Sequence, residues 1–173
     1  MELMVKYPIV GYGSLLSHDS LKETIKDKKF RKILVKGYKR IFNLVDGRGD
    51  VLNLEKCKGC EFNAVLFYVD DEELRMLKLR EDEYNLESVD VFDFGTRKKI
   101  CAAYTSIDHI VDIDSGKMLP QKGYFVLCRK AACDLGEDFG KVWDETTYLS
   151  SGERVCDWVK KHKEYDFSCS VGE

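Results

Sequence analysis

Two places in this sequence bring together residue types that could do chemistry. The first is the run Gly11-Tyr12-Gly13-Ser14-Leu15-Leu16. Two glycines let the backbone turn sharply and come close to a ligand. If a helix starts just after them, its first amides point outward without partners, toward anything negatively charged. The chemistry would be that of an anion cradle, for a carboxylate or a developing oxyanion. The second place is Glu81, with Asp82 and Glu83 beside it. A carboxyl partly removed from water has its pKa raised toward neutrality, which suits general acid-base work. Each place also has a plain reading. Glycine turns between a strand and a helix occur in many folds, and acids at helix ends are commonly solvated.

The cradle needs a strand before it and a helix after it. Met4 to Val10 is mostly apolar and reads as the strand, and Ser17 reads as the N-cap of a helix beginning at His18. Glu81 needs a helix that carries it to the core. Asp70 and Glu73 form a capping-box pattern, and Leu74 and Leu77 share a face at i, i+3 spacing. That helix runs into Arg80-Glu81-Asp82-Glu83-Tyr84, at a junction with a following strand. Strands are expected over Ile33 to Val45, Val51 to Leu54, Phe62 to Val69, Leu86 to Phe94 and Lys99 to Ser106. Turns are expected at 46–50 and 95–98. In Leu86 to Phe94 both faces are partly apolar, as in a sheet that curls into a barrel. The last third reads as helical. One helix has Pro120 in its first turn and Gly136 as its stop, and a second spans about Glu137 to Glu145. A third, opened by a Ser150–Glu153 capping box, places Val155, Trp158 and Val159 on one face. The order of elements is α+β and lacks the regular alternation of a doubly wound sheet.

The whole chain sets outer bounds. Its 173 residues predict a single domain over 1–173. With 44% hydrophobic and 34% charged residues, it has the composition of a globular protein and not of a disordered one. A net charge of -3 argues against nucleic-acid binding through a general basic field. No run approaches the roughly 20 apolar residues of a membrane span. The N-terminus lacks the pattern of a signal peptide, so a cytoplasmic location is expected, with no membrane partner. Seven scattered cysteines argue against a secreted disulfide framework and predict free thiols. Cys57-Lys58-Gly59-Cys60 has the spacing of a metal knuckle, but a tetrahedral zinc site would need a second pair. A turn carrying two thiols is expected there, and no metal.

Set in order along the chain, several segments resemble the γ-glutamylcyclotransferase-like superfamily, including its ChaC-type and AIG2-like branches. The turn at Gly11 to Leu16 resembles the family's Tyr-Gly-Ser loop. Residues 36–43 and 62–69 resemble its second strand and the strand before its acid-bearing helix. Leu77 to Tyr84, followed by Val89-Asp90-Val91, resembles its acid motif. Gly123-Tyr124 and residues 143–148 are also similar to family segments. The resemblance implies a small mixed β-barrel flanked by helices. It implies that Glu81 is the catalytic acid-base and that Tyr12, Gly13, Ser14 and Leu15 bind substrate, with Tyr84 and Tyr124 as aromatic neighbours of the pocket.

The implied reaction needs neither cofactor nor metal. The α-amino group of a small γ-glutamyl substrate attacks its own γ-carbonyl, 5-oxoproline forms and an amine leaves. Leu15 resembles the ChaC-type loop, whereas the γ-glutamyl-amino-acid branch has Asn after the Ser. Asp82-Glu83-Tyr84 lacks the glycines usual in the ChaC acid loop. These departures leave the leaving group open. Two rival readings are a non-catalytic module binding a γ-glutamyl or amino-acid-like ligand on the same fold, and a thiol-dependent enzyme using Cys57, Cys60, Cys101 or Cys128.

Overall fold

The computed structural model describes residues 5–26, 28–46, 49–80, 85–108 and 119–166. The described strands are β1 (Tyr7–Gly11), β2 (Arg31–Asp46), β3 (Gly49–Val69), β4 (Asn85–Asp93), β5 (Lys99–Ile107) and β6 (Thr147–Leu149). The described helices are α1 (His18–Lys22), α2 (Asp71–Arg80), α3 (Lys122–Asp134), α4 (Glu137–Thr146) and α5 (Val155–Lys161), with a 3-10 turn at Ser14–Leu16.

β2 and β3 form one long antiparallel hairpin, paired from Arg31↔Leu66 to Asp46↔Gly49 with register shifts at Lys36/Tyr38 and Phe42/Leu44. β1 adds antiparallel to β3, with Gly11 opposite Val65. β4 adds to β2, and β5 returns antiparallel along β4. β5 then meets β1 in parallel at Ile9↔Tyr104. The circuit β3-β1-β5-β4-β2-β3 is a closed five-stranded mixed barrel, and β6 lies outside it, parallel to residues 40–42 of β2. Runs such as Ile33-Leu34-Val35 and Ala64-Val65-Leu66-Phe67 are buried at every position. Continuous apolar strands are required when one face lines the barrel and the other lies under helices. α4 covers β3 in this way, and Asn63 Nδ2 donates to Phe139 O at 2.8 Å across that contact.

One charged side chain lies at the centre of this packing. Arg40 has no exposed surface. Its Nε donates to Thr147 Oγ1 at 2.8 Å, and its terminal nitrogens donate to Asn63 Oδ1 at 2.8 Å, to Thr146 Oγ1 at 3.1 Å and to the Asn63 carbonyl. Burial pushes its pKa down to about 9, so it remains charged at neutral pH.

The expected barrel, strands and first two helices are present, with corrections of detail. Val51–Leu54 and Phe62–Val69 are two ends of one 21-residue strand. The expected turn at Cys57–Cys60 is present as a break within that strand, with the two Cα atoms 5.4 Å apart and residues 57–60 without partners in β2, but the two cysteines form a disulfide instead of carrying free thiols. Cys133 is also disulfide-bonded. Pro120 forms a bridge with Asp50 and does not open α3, which starts at Lys122 with the Gln121 side chain as its cap. Ser150 and Glu153 do not cap the last helix. They lie in the turn after β6, and α5 begins at Val155. No described helix is long and apolar enough to cross a membrane.

Candidate active site

β1 delivers the chain to the glycine turn at one end of the barrel. Leu16 N donates to Gly13 O and Ser17 N to Ser14 O, both at 3.0 Å, closing the 3-10 turn. The amides that begin such a turn have no acceptor within it. Ser17 caps α1 as its sequence indicated, its Oγ accepting from Ser20 N at 3.2 Å. The turn is tight enough to require its glycines. A Cβ on Gly11 would lie 2.8 Å from Leu15 Cβ, and one on Gly13 would lie 2.6 Å from the Tyr124 hydroxyl oxygen.

α2 supplies the opposite wall. Its capping box is formed: Asp70 Oδ1 accepts from Glu73 N at 2.8 Å, and Glu73 Oε1 accepts from Asp70 N at 3.1 Å. Lys28 Nζ holds the same Glu73 carboxylate at 2.7 Å. Leu74 and Leu77 do share a face, and with Leu15 they line a cavity of about 380 Å³. Asn85, Leu86 and Ser106 line it from the strands, and Lys78 from α2. At the end of α2 the Arg80 guanidinium crosses to the glycine turn and donates to Ser14 Oγ at 3.1 Å.

The structure therefore gathers most of the expected residues in one place. Leu15 lines the cavity, Ser14 meets Arg80, and Tyr124 of α3 stands over Gly13. Tyr12 is buried, and its hydroxyl donates to Ser106 O at 2.6 Å, so its side chain braces the turn from behind. Glu81 and Tyr84 lie outside the described residues. Arg80 and Asn85, the described residues on either side of them, both belong to this end of the barrel.

Arg80, Asn85 and Ser106 are among the neighbours of the site that escaped the reading of the sequence. Arg80 continues the Leu74, Leu77 spacing by three more residues, a signal that a charged residue conceals. Asn85 and Ser106 meet only through the β4–β5 hairpin and β1.

Among the described residues, the thiol that lies against Tyr124 is Cys128, and it is no ready nucleophile. Cys128 is fully buried, and burial pushes its thiol up to about 12 despite a hydrogen bond from Tyr124 and the fields of Arg40 and Arg80. Such a thiol is protonated at neutral pH. Among the described residues, no three His, Cys, Asp or Glu side chains gather to hold a metal ion.

This architecture has counterparts among solved structures. A γ-glutamyl cyclotransferase superposes with a TM-score of 0.70 at 15% identity, covering 91% of this chain and 99% of that one. This is the γ-glutamylcyclotransferase-like fold. An uncharacterized Homo sapiens protein shares the fold with a TM-score of 0.70 at 14% identity, over 91% of this chain and 97% of its own. A solution structure from Arabidopsis thaliana does so with a TM-score of 0.55 at 16% identity, over 100% and 96%. No protein-family model and no curated protein matches the sequence.

Proposed function

We propose that this chain is a γ-glutamylcyclotransferase-like enzyme that cyclises a γ-glutamyl group to 5-oxoproline and releases an amine or amino acid. The observation that carries this reading is the junction of the glycine turn with the end of α2. Ser14 and Arg80 touch beside a cavity large enough for a small ligand, on a fold that a γ-glutamyl cyclotransferase also has.

The nucleophile is tethered to the electrophile, so the main task is to fold the γ-glutamyl chain back on itself, and orientation is a large lever. The α-amine must lose a proton before it attacks, and the leaving nitrogen must gain one. Glu81, the residue after Arg80, does both in turn, first as base and then as acid. The turn amides from Gly13 to Leu15 hold negative charge on the substrate, as preorganised donors aimed at the place where that charge sits.

The test is an assay of 5-oxoproline release from γ-glutamyl amino acids, glutathione, γ-glutamyl-lysine and γ-glutamyl alkylamines. Wild type is expected to turn over at least one of them. Glu81→Gln keeps the shape of the side chain and is expected to lower kcat by roughly 10²-fold or more with the melting temperature unchanged. Near-normal turnover in that variant refutes the assignment of Glu81. Thermal stabilisation by these compounds without product, in wild type, establishes the binding-module reading in its place.

A further inference from the structure

Arg80 makes more contacts than a surface residue at a helix end requires. One terminal nitrogen donates to Ser20 O at 2.8 Å and Thr24 Oγ1 at 3.1 Å. The other donates to Ser20 Oγ at 2.6 Å and Ser14 Oγ at 3.1 Å. Three of these bonds fasten the guanidinium to α1 and the residues just after it. The fourth reaches the cradle.

The direction of that fourth bond has a chemical consequence. Arginine only donates, whereas a serine hydroxyl has one proton and two acceptor lone pairs. With an Arg80 N–H directed at its oxygen, Ser14 uses a lone pair on Arg80 and must give its single proton to another acceptor. A hydroxyl whose oxygen already accepts from a cation is also a stronger donor, because hydrogen bonds in a chain polarise one another. Ser14 is half-buried between Gly13, which lies under Tyr124, and Leu15, which lines the cavity.

We propose that Arg80 is a positioning residue that aims and polarises the Ser14 hydroxyl, making Ser14 a hydrogen-bond donor to an anionic oxygen of the ligand. The inference rests on the cyclotransferase reading for the identity of that ligand. The anionic oxygen is then either the α-carboxylate or the oxyanion that forms on the γ-carbonyl. Lysine cannot take over this role, since one ammonium lacks the planar fork that reaches Ser14, Ser20 and Thr24 together.

The experiment is a double-mutant cycle on Ser14→Ala and Arg80→Met, with Ser14→Thr and Arg80→Lys as controls. The readouts are kcat, KM, and affinity for 5-oxoproline measured by titration. Ser14→Ala is expected to lower kcat/KM by about 100-fold, the scale of one lost oxyanion donor, with the melting temperature unchanged. Ser14→Thr, which keeps a hydroxyl, is expected to retain most activity, and Arg80→Lys to rescue little. The double variant is expected to be no worse than the more damaged single one. A loss confined to kcat assigns the bond to the oxyanion, and a parallel loss of 5-oxoproline affinity assigns it to the carboxylate. Losses that multiply independently overturn the proposal, as does a Ser14→Ala enzyme with normal kcat/KM. If Arg80→Met does not fold, Arg80→Lys takes its place in the cycle with Ser14→Ala, and losses that multiply independently overturn the proposal in the same way. If wild type releases no 5-oxoproline, the cyclisation reading fails. The titration then judges the present proposal separately: affinity lost in Ser14→Ala supports it, and equal or absent binding overturns it.

Discussion

At the scale of single residues, Gly13 fixes how near α3 can come to the cradle. Its missing side chain leaves the space that the Tyr124 hydroxyl occupies. Gly13→Ala is expected to displace one of the two, with a lower melting temperature and at least a tenfold loss of turnover. Tyr124→Phe removes the obstructing oxygen, so Gly13→Ala combined with Tyr124→Phe is expected to recover most of the lost melting temperature. A thermal melt of the two singles and the double checks this, and a double as unstable as Gly13→Ala alone would place the strain elsewhere. Residues of this kind are legible in a sequence because turn chemistry is local: Gly11, Gly13 and the Ser17 cap act within a few positions of themselves. Arg80 and Arg40 are not legible in that way. Each is defined by partners far along the chain, Ser14 and Ser20 for one, Asn63 and Thr147 for the other. A charged residue inside a strand or at a helix end gives no sign of such partners.

At the scale of elements, α2 carries the wall of the cavity and is held at its start by a reciprocal cap. Asp70→Ala removes the acceptor for Glu73 N and is expected to cost about 1 kcal/mol, read as a lower urea midpoint with an unchanged slope. The cap was legible because Asp70 and Glu73 stand three residues apart before an apolar face. The centre of β3 was not. From Glu55 to Glu61 both sides of that strand are largely exposed, so the apolar alternation that marks a strand disappears, and the pairing to β2 skips residues 57–60 between Lys56 and Glu61. Gly37 and Gly59, at φ of +91° and +84°, bend the two strands where their register shifts. β6 was invisible for a different reason. Three residues carry too little pattern, and their partner is β2, about a hundred positions earlier.

At the scale of the whole molecule, burial leaves a signature in pH. The Cys128 thiol, ordinarily near 9.0, is raised to about 12 in the native state. Below pH 9 both states hold the proton and the thiol has no effect on stability. Between 9 and 12 the unfolded chain releases it and the native protein does not, so stability falls as pH rises. Urea unfolding at pH 8, 9.5 and 10.5 is expected to show a steeper alkaline decline for wild type than for Cys128→Ala. Equal slopes would assign the decline to other groups.

The α+β class and the barrel were readable from strand order and from strands apolar on both faces. The closure was not, because the pairing of β1 with β5 joins strands almost a hundred residues apart. That closure is also the narrowest seam in the wall. Backbone pairing there is confined to Ile9↔Tyr104, and two hydroxyls fasten the rest, Thr105 Oγ1 to Val10 O at 3.2 Å and Tyr12 Oη to Ser106 O at 2.6 Å. The clasp that shuts the cylinder thus sits in the same few residues for which ligand binding is proposed. Anything that tugs on the recognition loop pulls on the rivets of the cylinder, and an occupant that steadies the loop tightens the vessel around itself.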